Sequence, residues 1–215
     1  MSIDALTDRA SDAALDVIGV CHTEPEDGLG KGTLALLGPK EPGFWVHVQR
    51  SPEFLDGASE PLDRWSHLVV TRIARDVGGS PLFPFGEPAR PFISWALRSG
   101  RAWVSPVGLL VHDVAGLLVS YRGAVLFDEV LPLGPTPERP CDACVEKPCL
   151  TACPVGALGK EGYDLATCHS YLDIPGGRPC MSGGCLVRRA CPVSQSYPRT
   201  PAQSAFHMRA FHNPR

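Results

Sequence analysis

The sequence carries no basic excess: 20 Lys and Arg stand against 23 Asp and Glu, a formal charge of −3. That balance argues against a nucleic-acid-binding module, which normally carries a clear positive surplus. No stretch approaches the roughly 18–20 apolar residues of a membrane span, so none is expected. The opening residues, MSIDALTDRASDAALDVIGV, hold Asp4, Asp8 and Asp12 and no basic segment followed by a long apolar run. They do not read as a secretory signal, and the expected compartment is the cytoplasm. No Ser-His-Asp pattern or Walker loop is evident. Gly28-Leu-Gly30-Lys-Gly32 lacks the strand–turn–helix context of a dinucleotide fingerprint.

Glycine, proline and cysteine are plentiful. Gly and Pro number 22 each in 215 residues, which favours loops and turns over a long-helix bundle. The apolar fraction of 44% is enough for a packed core. Nine cysteines are present, eight of them between Cys141 and Cys191. In a chain that is not exported, clustered cysteines read as metal ligands before disulfides.

The proline-rich stretch Leu131–Pro140 divides the chain. Pro132, Pro135, Pro137 and Pro140 forbid helix and favour an extended linker. The predicted organisation is a mixed α/β domain over 1–131, a linker over 132–140, and a cysteine domain with its tail over 141–215. In the first part, Thr33–Gly38 and Gly43–Val48 read as short strands. Leu62, Trp65, Val69, Ile73 and Val77 recur at helical spacing, with Gly78-Gly79 as the stop. A short helix is expected from Pro91 to Ser99. From Trp103 to Leu131 a meander is expected, turning near Asp113–Gly116 and Arg122-Gly123. Cys21 and the four tryptophans read as core, and Pro84–Arg90 as a surface loop or a pocket rim.

The cysteine groups are Cys141-x2-Cys144-x4-Cys149-x3-Cys153-Pro154 and Cys168-x11-Cys180-x4-Cys185-x5-Cys191-Pro192. Each iron of a 4Fe-4S cube takes one thiolate, so two tetrads match the ligand demand of two cubes. Gly156, Gly183 and Gly184 leave the backbone free to bend its N–H groups toward sulfur. Two structural zinc sites or a disulfide framework are the alternatives. Against zinc, a second C-x2-C knuckle is missing.

This segment resembles the bacterial two-cluster ferredoxins, whose pattern is C-x2-C-x2-C-x3-C-P and whose fourth cysteine serves the other cluster. It departs from them in the four residues between Cys144 and Cys149 and in the looser second group. Crossing of the fourth ligands would put Cys141, Cys144, Cys149 and Cys191 on one cube. Cys153, Cys168, Cys180 and Cys185 would then hold the other. Two cubes would move the formal charge from −3 to about −7, partly offset by Arg178, Arg188 and Arg189. The tail from Tyr197 could pack back on this domain through Phe206, Met208 and Phe211.

The run Ala102–Val130 followed by the cysteine segment is similar to the epoxyqueuosine reductase family. Those proteins join a nitroreductase-like, cobalamin-binding α/β domain to a two-cluster ferredoxin domain. The stretch His112-Asp-Val-Ala-Gly116 resembles one found in the cobalamin-trafficking decyanases, which makes His112 a candidate cofactor contact. At the position of the family's acidic proton donor stands Gly86 or Glu87, so a matching Asp is absent, and its Gly-Lys-Asn turn is replaced by Val104–Gly108. Queuosine chemistry is therefore not expected.

The expected fold is α+β, a sheet domain of this reduced type followed by a ferredoxin-like domain. The expected function is electron transfer through two 4Fe-4S clusters to a redox partner protein. The alternative is a reductase in which the clusters feed a pocket for cobalamin or another small substrate.

Overall fold

The computed structural model describes residues 2–212. Its strands are β1 (Leu15–His22), β2 (Thr33–Pro39), β3 (Ser80–Leu82), β4 (Ala102–Val104), β5 (Leu110–His112), β6 (Gly123–Phe127), β7 (Leu158–Gly159) and β8 (Gly162–Tyr163). The chain is α+β and divides into two compact units, Met1–Arg101 with Ser120–Pro137, and Ala102–Val119 with Glu138–Arg215. Among the described residues, no helix is long and apolar enough to cross a membrane.

The first unit is built on a four-stranded antiparallel sheet in the order β1-β2-β6-β3. Every residue of β2 and β6 is buried, which fits their near-continuous apolar runs. The helix Pro61–Asp76 buries Leu62, Trp65, Val69 and Ile73, the stripe the sequence period requires. Pro61 opens it, and Gly78, at φ 72°, turns the chain out of it. The second expected helix is present as Phe92–Arg98.

Residues 43–48 are not a strand. Phe44–Gln49 is a short helix that buries Phe44, Trp45 and Val48 together. Phe44 meets Trp65 edge-on at 5.5 Å and Trp45 meets Phe54 at 5.3 Å. A six-residue apolar run suits either state, and these distant aromatic partners select the helix.

A buried polar anchor closes this unit. Asp27, its side chain 2% exposed, accepts from Trp95 Nε1 at 2.8 Å and from Arg98 Nη1 at 2.6 Å. The Arg98 hydrogen bonds hold the Asp27 carboxyl down at about 2. Cys21 is 1% exposed, and burial pushes its thiol up to about 11. It behaves as a core residue.

The stretch from Trp103 to Leu131 is not one meander. β4 and β5 form their own hairpin, pairing Trp103 with Val111, and belong to the second unit. β6 alone joins the large sheet, between β2 and β3. The proline-rich stretch ends the first unit at Pro137, but the chain has already passed between the units at residues 101–102 and 119–120.

The second unit consists of short helices and turns around a small core of Val107, Val111, Leu117, Cys149, Leu158, Val187 and Cys191. Its prolines sit in the first turn of several of these helices, where a missing N–H does no harm. Helix Leu165–Leu172 is capped by Asp164, which accepts from the Thr167 N–H at 3.0 Å. The last helix, Pro201–His212, packs along the helix Arg178–Gly183.

Candidate functional site

The eight clustered cysteines all lie in the second unit, none in a disulfide, and they fall into two sets. Burial pushes the Cys149 thiol up, and the neighbouring thiols of Cys141, Cys191 and Cys144 add to the effect. Cys141 is raised by burial as well, and among its neighbours are Arg139, Cys191 and Cys144. The second set has the same character. Burial raises Cys180, whose thiol neighbours are Cys185, Cys168 and Cys153. Cys168 is raised by burial and in turn feels Cys185 and Cys153. The structure thus brings together Cys141, Cys144, Cys149 and Cys191, and separately Cys153, Cys168, Cys180 and Cys185.

The first quartet faces a cavity of about 240 Å³. Its other walls include Val111, Leu117, Pro148, Pro192 and Val193, with Ser105 and Lys147 as polar members, so the four cysteines line a mostly apolar space. Such a wall excludes water and lowers the local dielectric. Among the described residues, no three His, Cys, Asp or Glu side chains converge closely enough to hold a single metal ion. A soft, all-thiolate donor set of four is chemistry that iron–sulfur clusters and structural zinc both use. On donor type and number, both quartets fit such a group.

The hairpin β4–β5 holds the first quartet from one side. Leu117 N–H donates to Ser194 Oγ at 2.8 Å, three residues beyond Cys191. Gly116 packs so tightly here that a Cβ on it would lie 2.5 Å from the Ser194 nitrogen, and its φ is 56°. Arg199 donates to the Leu118 carbonyl at 2.8 Å and Arg139 to the Val104 carbonyl at 2.7 Å.

The second quartet is bordered by aromatic and basic groups. Tyr163, at the end of β8, donates its hydroxyl to Cys168 Sγ at 3.4 Å. Phe211 stacks on His169 at 4.7 Å and on Tyr163 at 6.2 Å, so the tail does pack back, with Phe211 as its contact. Beside Cys168 runs a chain of hydrogen bonds. His212 Nε2 lies 2.9 Å from Asp173 Oδ1, and its Nδ1 lies 2.9 Å from His169 Nδ1. If Nε2–H of His212 serves the carboxylate, His169 is the donor between the rings. Of the three candidate arginines, Arg178 and Arg189 are exposed, whereas Arg188 is half-buried. Arg188 Nη1 donates to the Leu117 carbonyl at 2.6 Å. Burial lowers its pKa, while Cys185 and Tyr163 favour its charge.

His112 is 1% exposed, at the end of β5. Its Nδ1 accepts the N–H groups of Val114 and Ala115 at 3.1 and 3.3 Å, inside the turn that pairs His112 with Gly116. Asp113 Oδ1 lies 2.9 Å from the same nitrogen. The ring is an organiser of its own turn. The Pro84–Arg90 loop contributes Phe85, which stacks on Phe83 at 5.3 Å.

Tyr163, Ser194 and the Asp173–His212–His169 chain had no signal in sequence spacing. Tyr163, His169 and Ser194 lie within five residues of a clustered cysteine, but nothing in their spacing marks them out.

No protein-family model, curated protein or solved structure matches this chain.

Proposed function

We propose that this protein is an electron carrier in which two 4Fe-4S clusters are held by the two cysteine quartets, in a ferredoxin-like second unit. The observation that carries this reading is the segregation of eight thiols, distant in sequence, into two sets of four. The crossing of Cys191 to the first set and Cys153 to the second is the exchange that two-cluster ferredoxins make. Once bound, such a cluster takes up and releases single electrons at potentials set by its surroundings.

The chain's own residues supply the rest. Cys141, Cys144, Cys149 and Cys191 would hold one group, with Val111, Leu117 and Val193 keeping water away. Cys153, Cys168, Cys180 and Cys185 would hold the other, with Tyr163 donating to one ligand sulfur. The half-buried Arg188 offsets part of the negative charge that thiolate ligands bring. The electron partner is a redox protein. The sheet unit is the part free to select that partner, since the cysteines of the quartets lie outside it. His112 is explained by its turn, so the cobalamin-dependent alternative gains no support from it.

Spectroscopy on anaerobically purified protein tests the proposal. A brown sample with broad absorbance near about 400 nm that dithionite bleaches is the expected result. A colourless sample containing stoichiometric zinc would overturn it.

A further inference from the structure

The two quartets sit in unequal electrostatic settings. The cations near the first are Arg139, whose side chain is 40% exposed, and Lys147, an exposed residue on the cavity wall. Arg139 stands 4.0 Å from the Asp142 carboxylate, which offsets a smaller part of its effect on the Cys141 sulfur. The second quartet has two stronger influences. Tyr163 hydrogen-bonds directly to the Cys168 sulfur at 3.4 Å and is braced by Phe211. Arg188 is anchored on the Leu117 carbonyl at 2.6 Å and stands three residues after Cys185, in the short helix Leu186–Ala190 that Cys185 caps.

Adding an electron to a thiolate-bound cluster adds negative charge. Hydrogen bonds to ligand sulfur and nearby positive charge stabilise that added charge and raise the reduction potential. On the reading that both quartets hold clusters, we propose that Tyr163 and Arg188 are potential-setting residues that make the second quartet's cluster the more easily reduced of the two. Tyr163 acts through the Cys168 sulfur, and Arg188 acts through its half-buried charge three residues from Cys185. The chain then has a built-in direction, its first quartet the low-potential end and its second the high-potential end.

The test is an anaerobic potentiometric titration of the full chain, followed by electron paramagnetic resonance, with iron and sulfide measured on the same samples. Wild type should show two distinct midpoint potentials. Tyr163→Phe keeps the ring stacked on Phe211 and loses only the hydroxyl, so it should lower the higher potential and leave the lower one and the iron content unchanged. Arg188→Met should lower the same potential, and Arg188→Lys should restore most of it. In Cys149→Ala protein, the potential that survives should be the higher one and should still respond to Tyr163→Phe. Iron present in full, with one shared potential or with Tyr163→Phe moving the lower potential or neither, would overturn this inference alone. Absence of iron and sulfide would overturn the cluster reading beneath it.

Discussion

Ser194 accepts the backbone N–H of Leu117 at 2.8 Å, across 77 positions of sequence. Both residues are buried, and Ser194 stands one turn beyond Cys191, the ligand candidate that crosses into the first quartet. A single hydroxyl therefore ties the chain just after the β5 turn to the segment that delivers that sulfur.

Ser194→Ala leaves the Leu117 N–H buried without its acceptor, which costs about 1–3 kcal/mol. Chemical denaturation should show that loss. Iron should also leave the variant faster under a chelator, because Cys191 is less firmly held. An unchanged midpoint and unchanged release rate would show that this tie does not support the quartet.

The quartet assignment predicts a non-additive pattern of iron loss. Cys149→Ala should remove about half of the iron, and adding Cys191→Ala should remove no more, since both belong to one set. Adding Cys180→Ala to Cys149→Ala should remove nearly all of it. Iron analysis of the three proteins checks this, and equal losses from both double variants would contradict the assignment.

The anchor in the sheet unit should be visible in acid. The folded chain holds the Asp27 carboxyl at about 2, below its ordinary 3.8, through the hydrogen bonds from Arg98. Between those values the unfolded chain binds the proton and the folded chain does not, so stability rises with pH across the window. The contribution is complete above about pH 4 and is lost as pH falls toward 2. Asp27→Asn should lower stability near neutral pH by on the order of 2 kcal/mol and flatten the dependence in that window. Denaturation midpoints from pH 2 to 6 measure both effects.

Local signals were legible where the determinants were themselves local. The helix Pro61–Asp76 was readable because its apolar stripe, opening proline and closing glycines lie within one segment. The strand Thr33–Pro39 was readable for the same reason. Phe44–Gln49 was misread because its state is chosen by Trp65 and Phe54, outside its own window. The placement of β4 and β5 was illegible for a similar reason. Val111 and Leu117 are claimed by a core shared with Cys149, Val187 and Cys191, residues that periodicity cannot link to them. Cysteine spacing pointed to two sets of four. The groups that would tune them, Tyr163 and Arg188 above all, emerge only once the chain has folded back on itself.

The most direct measurement of the central claim is the content of iron and acid-labile sulfide in protein prepared without exposure to oxygen. The account predicts about eight of each per chain, as two 4Fe-4S cubes require. A well-folded preparation with no acid-labile sulfide would contradict it.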